Sequence, residues 1–234
     1  MRTALKVLGG LLVLLVIAAV GAGLLLHEPR PVGVSGPAAE AMADRMLAAV
    51  DAAAWDTTAY VAWDFAGRQQ YRWWRDRDTV EVTWGDKRVL LHTETLTGVA
   101  FEDGVRQNGW RADELVARAW AHFANDSFWL AAPFKVRDPG TTRGLVELDD
   151  GSRGLLVEYA SGGVTPGDAY LWHLGPTGLP IRYEMWVGLL PVGGVGASWE
   201  AYQTLPSGAR VATHHELAGL VPLDLTVSGA ETPD

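Results

Sequence analysis

The residues best suited to chemistry are the consecutive His214, His215 and Glu216, because imidazole and carboxylate groups together act as metal ligands or as acid and base. The alternating pattern around them predicts a strand, whose side chains point to opposite faces in turn. His214 and Glu216 therefore share a face, and a metal site would need Asp168 or His173 from a neighbouring strand. We expect two ordinary strand histidines and no metal or cofactor, with a hydrolase that uses His214 and Glu216 as a distant alternative.

Other signs of catalysis are weak. The sequence has no H-E-x-x-H, G-x-S-x-G, P-loop or G-x-G-x-x-G motif, and Ser127, Ser161 and Ser198 lack an activating context. With no cysteine, disulfides, thiolate metal sites and a cysteine nucleophile are excluded. A net charge of -9 argues against sequence-independent binding to the phosphates of nucleic acids. The sequence favours a non-enzymatic protein that does not bind nucleic acid.

The N-terminal region predicts a membrane anchor. Residues 7–26 are twenty residues without a charge, about 30 Å as a helix, which matches the hydrocarbon core of a bilayer. Arg2 and Lys6 precede them, so residues 1–6 stay in the cytoplasm and the rest is exported. The many arginines, only three lysines and abundant Ala and Gly suggest a bacterial source, hence a single-pass inner-membrane protein with a periplasmic domain. The alternative is a cleaved signal peptide that releases the domain into the periplasm.

After the apolar stretch, the Pro- and Gly-rich residues 27–36 predict a linker that lifts the domain off the membrane. Residues 37–54 consist mostly of helix formers, with Met42, Met46 and Val50 spaced by four, which predicts an amphipathic helix packed on a sheet. Residues 113–125 show the same helical period.

From residue 58 the period changes to strict alternation, with Val61, Trp63 and Phe65 on one side. Turn signals about every ten residues predict one extended, curved antiparallel sheet with one or two packed helices, a mainly β (α+β) domain over residues 37–227 followed by a tail, residues 228–234. The predicted strands are 69–75, 79–84, 87–93, 99–103, 128–136, 144–148, 154–159, 168–174, 181–187, 197–204, 210–216 and 223–227.

Tryptophan is unusually abundant, with eleven residues in a chain of 234. Broad rings fill the wide space between a curved sheet and its helices, or they line a concavity that holds an apolar ligand such as an acyl chain. For the second hypothesis, side-chain parity along the elements nominates as lining residues Trp63, Phe65, Trp84, Trp129, Trp172 and Trp186.

One segment carries a resemblance to a known family. Residues 125–140, NDSFWLAAPFKVRDPG, resemble the N-x-x-[FY]WL-x-x-PFK-x-x-DPG motif of an uncharacterised bacterial envelope family. Residues 166–186 resemble the same family, and residues 198–216 resemble the last strands of lipoprotein-localisation-factor-like folds. Those folds are antiparallel half-barrels whose helices cover an apolar cavity, and they carry lipoprotein acyl chains or other lipids in the periplasm. The resemblance implies a half-barrel over most of residues 37–227.

The motif also contains Lys135 and Asp138, and Lys135 either forms an ion pair or contacts a lipid headgroup. The chain has no lipobox cysteine, and an anchor would prevent shuttling, so holding or sensing a lipid at the inner membrane fits better than transfer. We therefore expect a membrane-anchored periplasmic domain that binds an apolar or lipid-like ligand, with Lys135 among the binding residues. The alternative is an envelope protein-interaction module with a filled core, and the sequence names no protein partner.

Overall fold

The computed structural model describes residues 27–161 and 166–231. The predicted membrane segment, residues 7–26, lies outside the described residues, as do residues 1–6 and the end of the chain from residue 232. Within the described part, no helix has the length and hydropathy that a membrane crossing requires.

Fourteen strands of the described chain form one antiparallel sheet. They are β1 Tyr60–Phe65, β2 Gln69–Trp74, β3 Thr79–Trp84, β4 Lys87–His92, β5 Thr97–Glu102, β6 Val105–Arg106, β7 Thr141–Glu147, β8 Arg153–Tyr159, β9 Ala169–Leu174, β10 Pro180–Trp186, β11 Val195–Ser198, β12 Glu200–Thr204, β13 Arg210–Leu217 and β14 Val221–Glu231. Their spatial order is β6-β5-β4-β3-β2-β1-β14-β13-β11-β10-β9-β8-β7, and β12 also pairs with β13.

The helices are α1 Pro37–Val50, α2 Ala52–Asp56 and α3 Trp110–Ala131, and short 3-10 turns cover Arg75–Arg77 and Ala132–Lys135. Between α1 and α2 the backbone of Asp51 is left-handed, with φ 56°, and its Oδ1 accepts a hydrogen bond from the Ala54 N–H at 3.1 Å. The single helix predicted over residues 37–54 is therefore divided in two by a residue that ends one helix and caps the next.

The topology consists of two meanders, β1 to β6 and β7 to β14, connected through α3. The meanders merge into one sheet because the last strand pairs with the first, for example at Phe65 and Leu225. Alternate side chains point to an inner face that packs on the helices, and Val61, Trp63 and Phe65 are all buried there. The prediction of a mainly β, curved antiparallel sheet with one or two packed helices is confirmed, and α3 is the main helix.

The predicted strand over residues 128–136 is wrong. These residues form the last turn of α3 and the 3-10 turn that follows it. No turn signal separates them from the preceding helical pattern, and their buried residues do not alternate, since Trp129, Leu130, Ala131 and Ala132 are all buried. The α-helix ends just before Pro133, where a proline ring would clash with the preceding turn. The predicted strand 197–204 is likewise two strands, interrupted at Trp199.

Residues 27–36 run along the outer face of the sheet. The backbone groups of Val34 and Leu145 exchange hydrogen bonds of 2.8 and 2.9 Å, so Val34 caps the edge strand β7. Earlier in the segment, Arg30 forms an ion pair with Glu158 of β8 at 3.2 Å. The outer face of these strands carries a small group of buried apolar side chains: Val146, Leu156, Ala169 and Leu171.

Candidate functional site

A cavity of about 400 Å³ lies between the inner face of the sheet and the second half of α3. Its volume is in the range of small-molecule pockets, about 300–1,000 Å³. Met185, Val187 and Leu189 contribute aliphatic surface to its wall. Most of the remaining wall consists of eight aromatic side chains: Trp73, Trp120, Phe123, Phe128, Trp129, Tyr159, Tyr170 and Tyr183.

The helical side of the wall follows from the spacing of residues on α3. Trp120, Phe123, Ala124, Ser127 and Phe128 all line the cavity, and they follow one another by three, one, three and one positions. That spacing places them on one face of an α-helix. The face reaches the sheet because the helix continues to Ala131 instead of ending at residue 125.

The sheet side of the wall is a group of three tyrosines on adjacent strands. The ring centroid of Tyr170 on β9 lies 5.7 Å from that of Tyr159 on β8 and 5.2 Å from that of Tyr183 on β10, both edge to face. Phe128 of α3 approaches Tyr170 with 4.6 Å between centroids. Burial raises the pKa of all three phenols, so they stay neutral. This part of the wall is aromatic and uncharged.

The cavity wall also contains charged residues, among them Lys135, Asp138 and Asp168. Lys135 Nζ lies 3.0 Å from Asp138 Oδ2, and both side chains are more than one-third exposed. Asp168 accepts a hydrogen bond at Oδ1 from the Gly188 N–H at 2.9 Å, which positions the loop after β10. An exposed ion pair of this kind contributes at most about 1 kcal/mol. The Lys135–Asp138 pair therefore contributes little to the stability of the domain.

The exposed wall residues mark the opening. They are Asn125 in the second half of α3, Pro139 before β7, Ser161 after β8 and Leu189 after β10. Leu189 is 64% exposed although it also contributes to the apolar wall. The cavity thus has an aromatic interior and an opening formed by polar groups and one leucine.

Of the seven predicted ligand-binding residues, Trp129 and Lys135 lie in the cavity wall. Trp63, Phe65, Trp84 and Trp172 are buried in the core outside the wall. There Trp63 stacks on Tyr71 with 4.6 Å between ring centroids, and Trp172 lies 5.0 Å from both Tyr183 and Trp199.

Trp186 lies elsewhere, beside the buried group on the outer face, where its Nε1–H donates to the Glu28 carbonyl at 2.8 Å. Whether any of the seven residues binds a ligand stays a prediction. The wall residues that the sequence reasoning missed are mainly the three tyrosines and the face of α3. The 3-4 spacing of Trp120, Phe123, Ser127 and Phe128 was a usable signal for that face.

The two adjacent histidines face opposite sides of β13, as predicted. His215 is fully buried, with its Nδ1 3.0 Å from the Ser198 carbonyl and its ring 4.5 Å from that of Trp199. Burial lowers the pKa of His215 to about 4. His214 Nδ1 lies 2.7 Å from Asp224 Oδ1, and this hydrogen bond raises the pKa of His214. Within residues 27–161 and 166–231, no group of three or more His, Asp and Glu is placed to hold a metal ion.

Comparison with known proteins gives only distant likenesses. No family model matches the chain, and no curated protein matches it. Among solved structures, a DUF1329 family protein from Desulfovibrio piger aligns with 11% identity and a TM-score of 0.39, covering 83% of this chain and 92% of that one. A putative outer membrane lipoprotein-sorting protein domain from Vibrio parahaemolyticus aligns with 7% identity and a TM-score of 0.36, covering 81% and 93%. Likenesses this low carry no argument about the function of this chain.

Proposed function

We propose that this domain binds an apolar or lipid-like ligand in the main cavity and performs no catalysis on it. In this proposal the domain lies in the periplasm of a bacterium, anchored to the inner membrane by residues 7–26. The observation that carries the proposal is the cavity of about 400 Å³ with eight aromatic side chains in its wall. An apolar ligand in such a cavity would remove its own surface and that of the rings from water.

The arrangement favours an amphipathic ligand with a chain at one end and a polar group at the other. The chain would lie against the tyrosines and the aromatic face of α3. The polar group would lie at the opening, where the Lys135 ammonium group is partly exposed and paired with Asp138, three residues further along the chain. An anionic headgroup is the partner that suits this lysine best, since it would replace the carboxylate of Asp138.

Two neighbouring alanines of α3 provide a matched test. Ala124 lies in the cavity wall, whereas Ala121 is exposed and outside it. Ala124→Trp would fill much of the cavity, and Ala121→Trp adds the same ring to the helix surface. The full chain and both variants are purified in a mild detergent and examined by native mass spectrometry.

We expect a discrete adduct of lipid mass on the native chain and on Ala121→Trp, and its loss from Ala124→Trp. Lipids that surround the membrane segment are common to all three proteins, so only the difference reports the cavity. Circular dichroism and thermal unfolding of both variants establish that they are folded. Equal adducts on the two variants, or none on the native chain, would count against the proposal.

The alternative of a protein-interaction module receives less support from the sheet edges. At one edge β6 is only two residues long, and at the other β7 is capped by Val34. Short or covered edge strands offer few backbone groups for pairing with another chain. The hydrolase alternative would use His214 and Glu216, and neither residue lines the cavity.

A further inference from the structure

We propose that the opening of the cavity faces the membrane, so that a ligand passes between the cavity and the periplasmic leaflet of the bilayer without crossing water. The surface concerned is formed by loops at one end of the strands, which we call the loop rim and define by Asp138, Ser161, Leu189, Gly193 and Leu220. The orientation is argued from the contacts of the chain at His27. The passage of a ligand also rests on the function proposed above.

Residues 27 and 28 are attached by hydrogen bonds to the loop after β10. The Gly193 N–H donates to His27 Nδ1 at 3.0 Å, and the Glu28 N–H donates to the Gly193 carbonyl at 3.1 Å. Trp186 adds a third hydrogen bond, from Nε1–H to the Glu28 carbonyl at 2.8 Å. Three hydrogen bonds therefore hold the start of the described chain on the loop rim.

The two glycines of this loop, Gly193 and Gly194, allow residues 27 and 28 to approach it closely. A Cβ on Gly193 would lie 2.2 Å from Trp186 Cδ1 and 3.0 Å from the Glu28 carbonyl oxygen. At Gly194 the backbone is left-handed, with φ 82°, and a Cβ would lie 2.6 Å from the Cβ of Glu28. Any larger residue would push residues 27 and 28 away from the loop. The close approach of these two segments thus depends on glycine at both positions.

The opening of the cavity lies at the same end of the strands as this attachment. Trp186 pairs with Ala169, and Ala169 with Glu158, so β10 ends where β9 begins and where β8 ends. Thr141 at the start of β7 pairs with Tyr159 at the end of β8. The loops that carry Asp138 and Ser161 therefore lie beside the loop after β10, which carries Leu189 and holds His27.

Two exposed leucines lie at this end of the strands. Leu217 pairs with both Ala197 and Val221, which places the β13–β14 turn next to the start of β11. That turn carries Leu220, which is 81% exposed, and Leu189 at the opening is 64% exposed. Both leucines therefore expose apolar side chains at the same end of the strands, and contact with the acyl region of a bilayer would remove them from water.

The occupant of this surface follows from what precedes His27. Residues 7–26 contain no charge, and the last of them, Leu26, is directly bonded to His27. His27, which is hydrogen-bonded to the loop rim, is therefore the residue that directly follows the apolar stretch. Residues 27–36 then run along the sheet to Val34 and add no distance between the domain and the membrane. In this proposal residues 27–36 hold the sheet close to the membrane instead of acting as a spacer, and we call this segment the strap.

Charge does not provide the attachment. The chain carries a net charge of -9, so anionic headgroups would repel the domain as a whole. The contact would depend on the membrane segment and on the exposed leucines. It is therefore expected to persist at high salt, unlike the binding of a basic patch.

The natural absence of cysteine allows single labels to test this orientation. Leu220→Cys and Leu189→Cys are introduced separately into the full chain and labelled with an environment-sensitive nitrobenzoxadiazole dye. The matched control is Leu96→Cys, because Leu96 is 44% exposed in the β4–β5 turn at the opposite end of the strands. The proteins are reconstituted into vesicles of phosphatidylethanolamine and phosphatidylglycerol, with and without nitroxide-labelled acyl chains.

We expect the dyes at positions 189 and 220 to shift their emission to shorter wavelengths, to lose quenching by aqueous iodide and to gain quenching by the nitroxide lipids. The dye at position 96 should show none of these changes. Leu220 is the decisive position because it lies outside the cavity wall, so its dye cannot report the interior of the cavity. A dye at 220 that behaves like the one at 96 would overturn the proposed orientation.

The two experiments distinguish a failure of the proposed orientation from a failure of the proposed ligand binding. Nitroxide quenching at 220 without a lipid adduct in mass spectrometry would support the orientation and contradict ligand binding. An adduct that is lost in Ala124→Trp, together with a water-exposed dye at 220, would support ligand binding and contradict the orientation.

Discussion

Tyr71 of β2 donates a hydrogen bond to Asp126 of α3, with 2.5 Å between Oη and Oδ2, inside the core of the domain. Asp126 also accepts a hydrogen bond from the Asn125 side chain at 2.8 Å. Asp126 is 4% exposed, and burial raises the pKa of its carboxyl group. Burial also raises the pKa of Tyr71, so the phenol remains the donor. This pair connects the main helix to the first meander on the side of α3 that faces away from the cavity tyrosines.

Tyr71→Phe should destabilise the domain by about 1–3 kcal/mol, because it leaves one oxygen of a buried carboxyl group without its donor. Asp126→Asn should cost less, since an amide oxygen can still accept from Tyr71. The measurement is the free energy of unfolding from denaturant titrations. A loss in Tyr71→Phe no larger than that of Tyr60→Phe, whose ring lies at the start of β1, would show that the hydrogen bond contributes little.

The same carboxyl group should make stability depend on pH. The folded state holds the proton of Asp126 more firmly than the unfolded state, whose pKa lies near 3.8. The stabilising contribution is therefore complete below that pH and is lost as the pH rises through the raised pKa of the folded state. The difference in unfolding free energy between the native chain and Asp126→Asn should shift in this direction with pH. A constant difference would contradict the assignment.

His215 should produce the opposite dependence. Its folded-state pKa is lowered from 6.5 to about 4 by burial, so the folded state binds a proton less readily than the unfolded state. Stability from this group is complete above pH 6.5 and declines as the pH falls to about 4, by about 3 kcal/mol at most. His215→Phe keeps a ring between Trp129 and Trp199 and should remove this slope. His214→Gln, on the exposed face of the same strand, should leave the slope in place.

The elements that the sequence predicted well are those whose pattern is local. Alternation in β1 places Val61, Trp63 and Phe65 on the buried face, and the turn signals separate most of the strands that the structure contains. The end of α3 was missed because a continuous apolar run suits a buried strand and a buried helix equally. There the helical interpretation prevails because no turn interrupts the chain between Asn125 and Pro133.

The cavity was harder to predict because its wall depends on distant parts of the chain. Tyr159, Tyr170 and Tyr183 become neighbours only through the register of three strands, which no single segment specifies. Trp186 was assigned to the inner face on parity, yet it lies with the buried group on the outer face. The alternation of side chains along a strand shows which residues share a face. Only the packing of the sheet determines which of the two faces is the inner one.

Two tryptophans on opposite faces offer a direct test of ligand position. Trp129 lies in the cavity wall, and Trp186 lies on the outer face. A brominated fatty acid quenches tryptophan only at short range, so it should quench part of the intrinsic fluorescence of the protein. Trp129→Phe should reduce the quenched fraction, while Trp186→Phe should lower total fluorescence without reducing the quenched component. Quenching that falls equally in both variants would indicate binding outside the cavity.

The strap formed by residues 27–36 should be sensitive to one glycine of β7. A Cβ on Gly144 would lie 2.7 Å from the Cα of Gly33, so Gly144→Ala forces the two backbones apart. The nearby hydrogen bonds between Val34 and Leu145 should then weaken, and both amides should exchange with deuterium faster than in the native chain. The matched control is Gly196→Ala in β11, where the nearest atom would be 3.8 Å from the new Cβ. Unchanged exchange at Val34 in Gly144→Ala would mean that the strap does not depend on this backbone contact. Faster exchange there but not in Gly196→Ala would tie the position of residues 27–36, and with it the approach of the domain to the membrane, to a contact between two glycines.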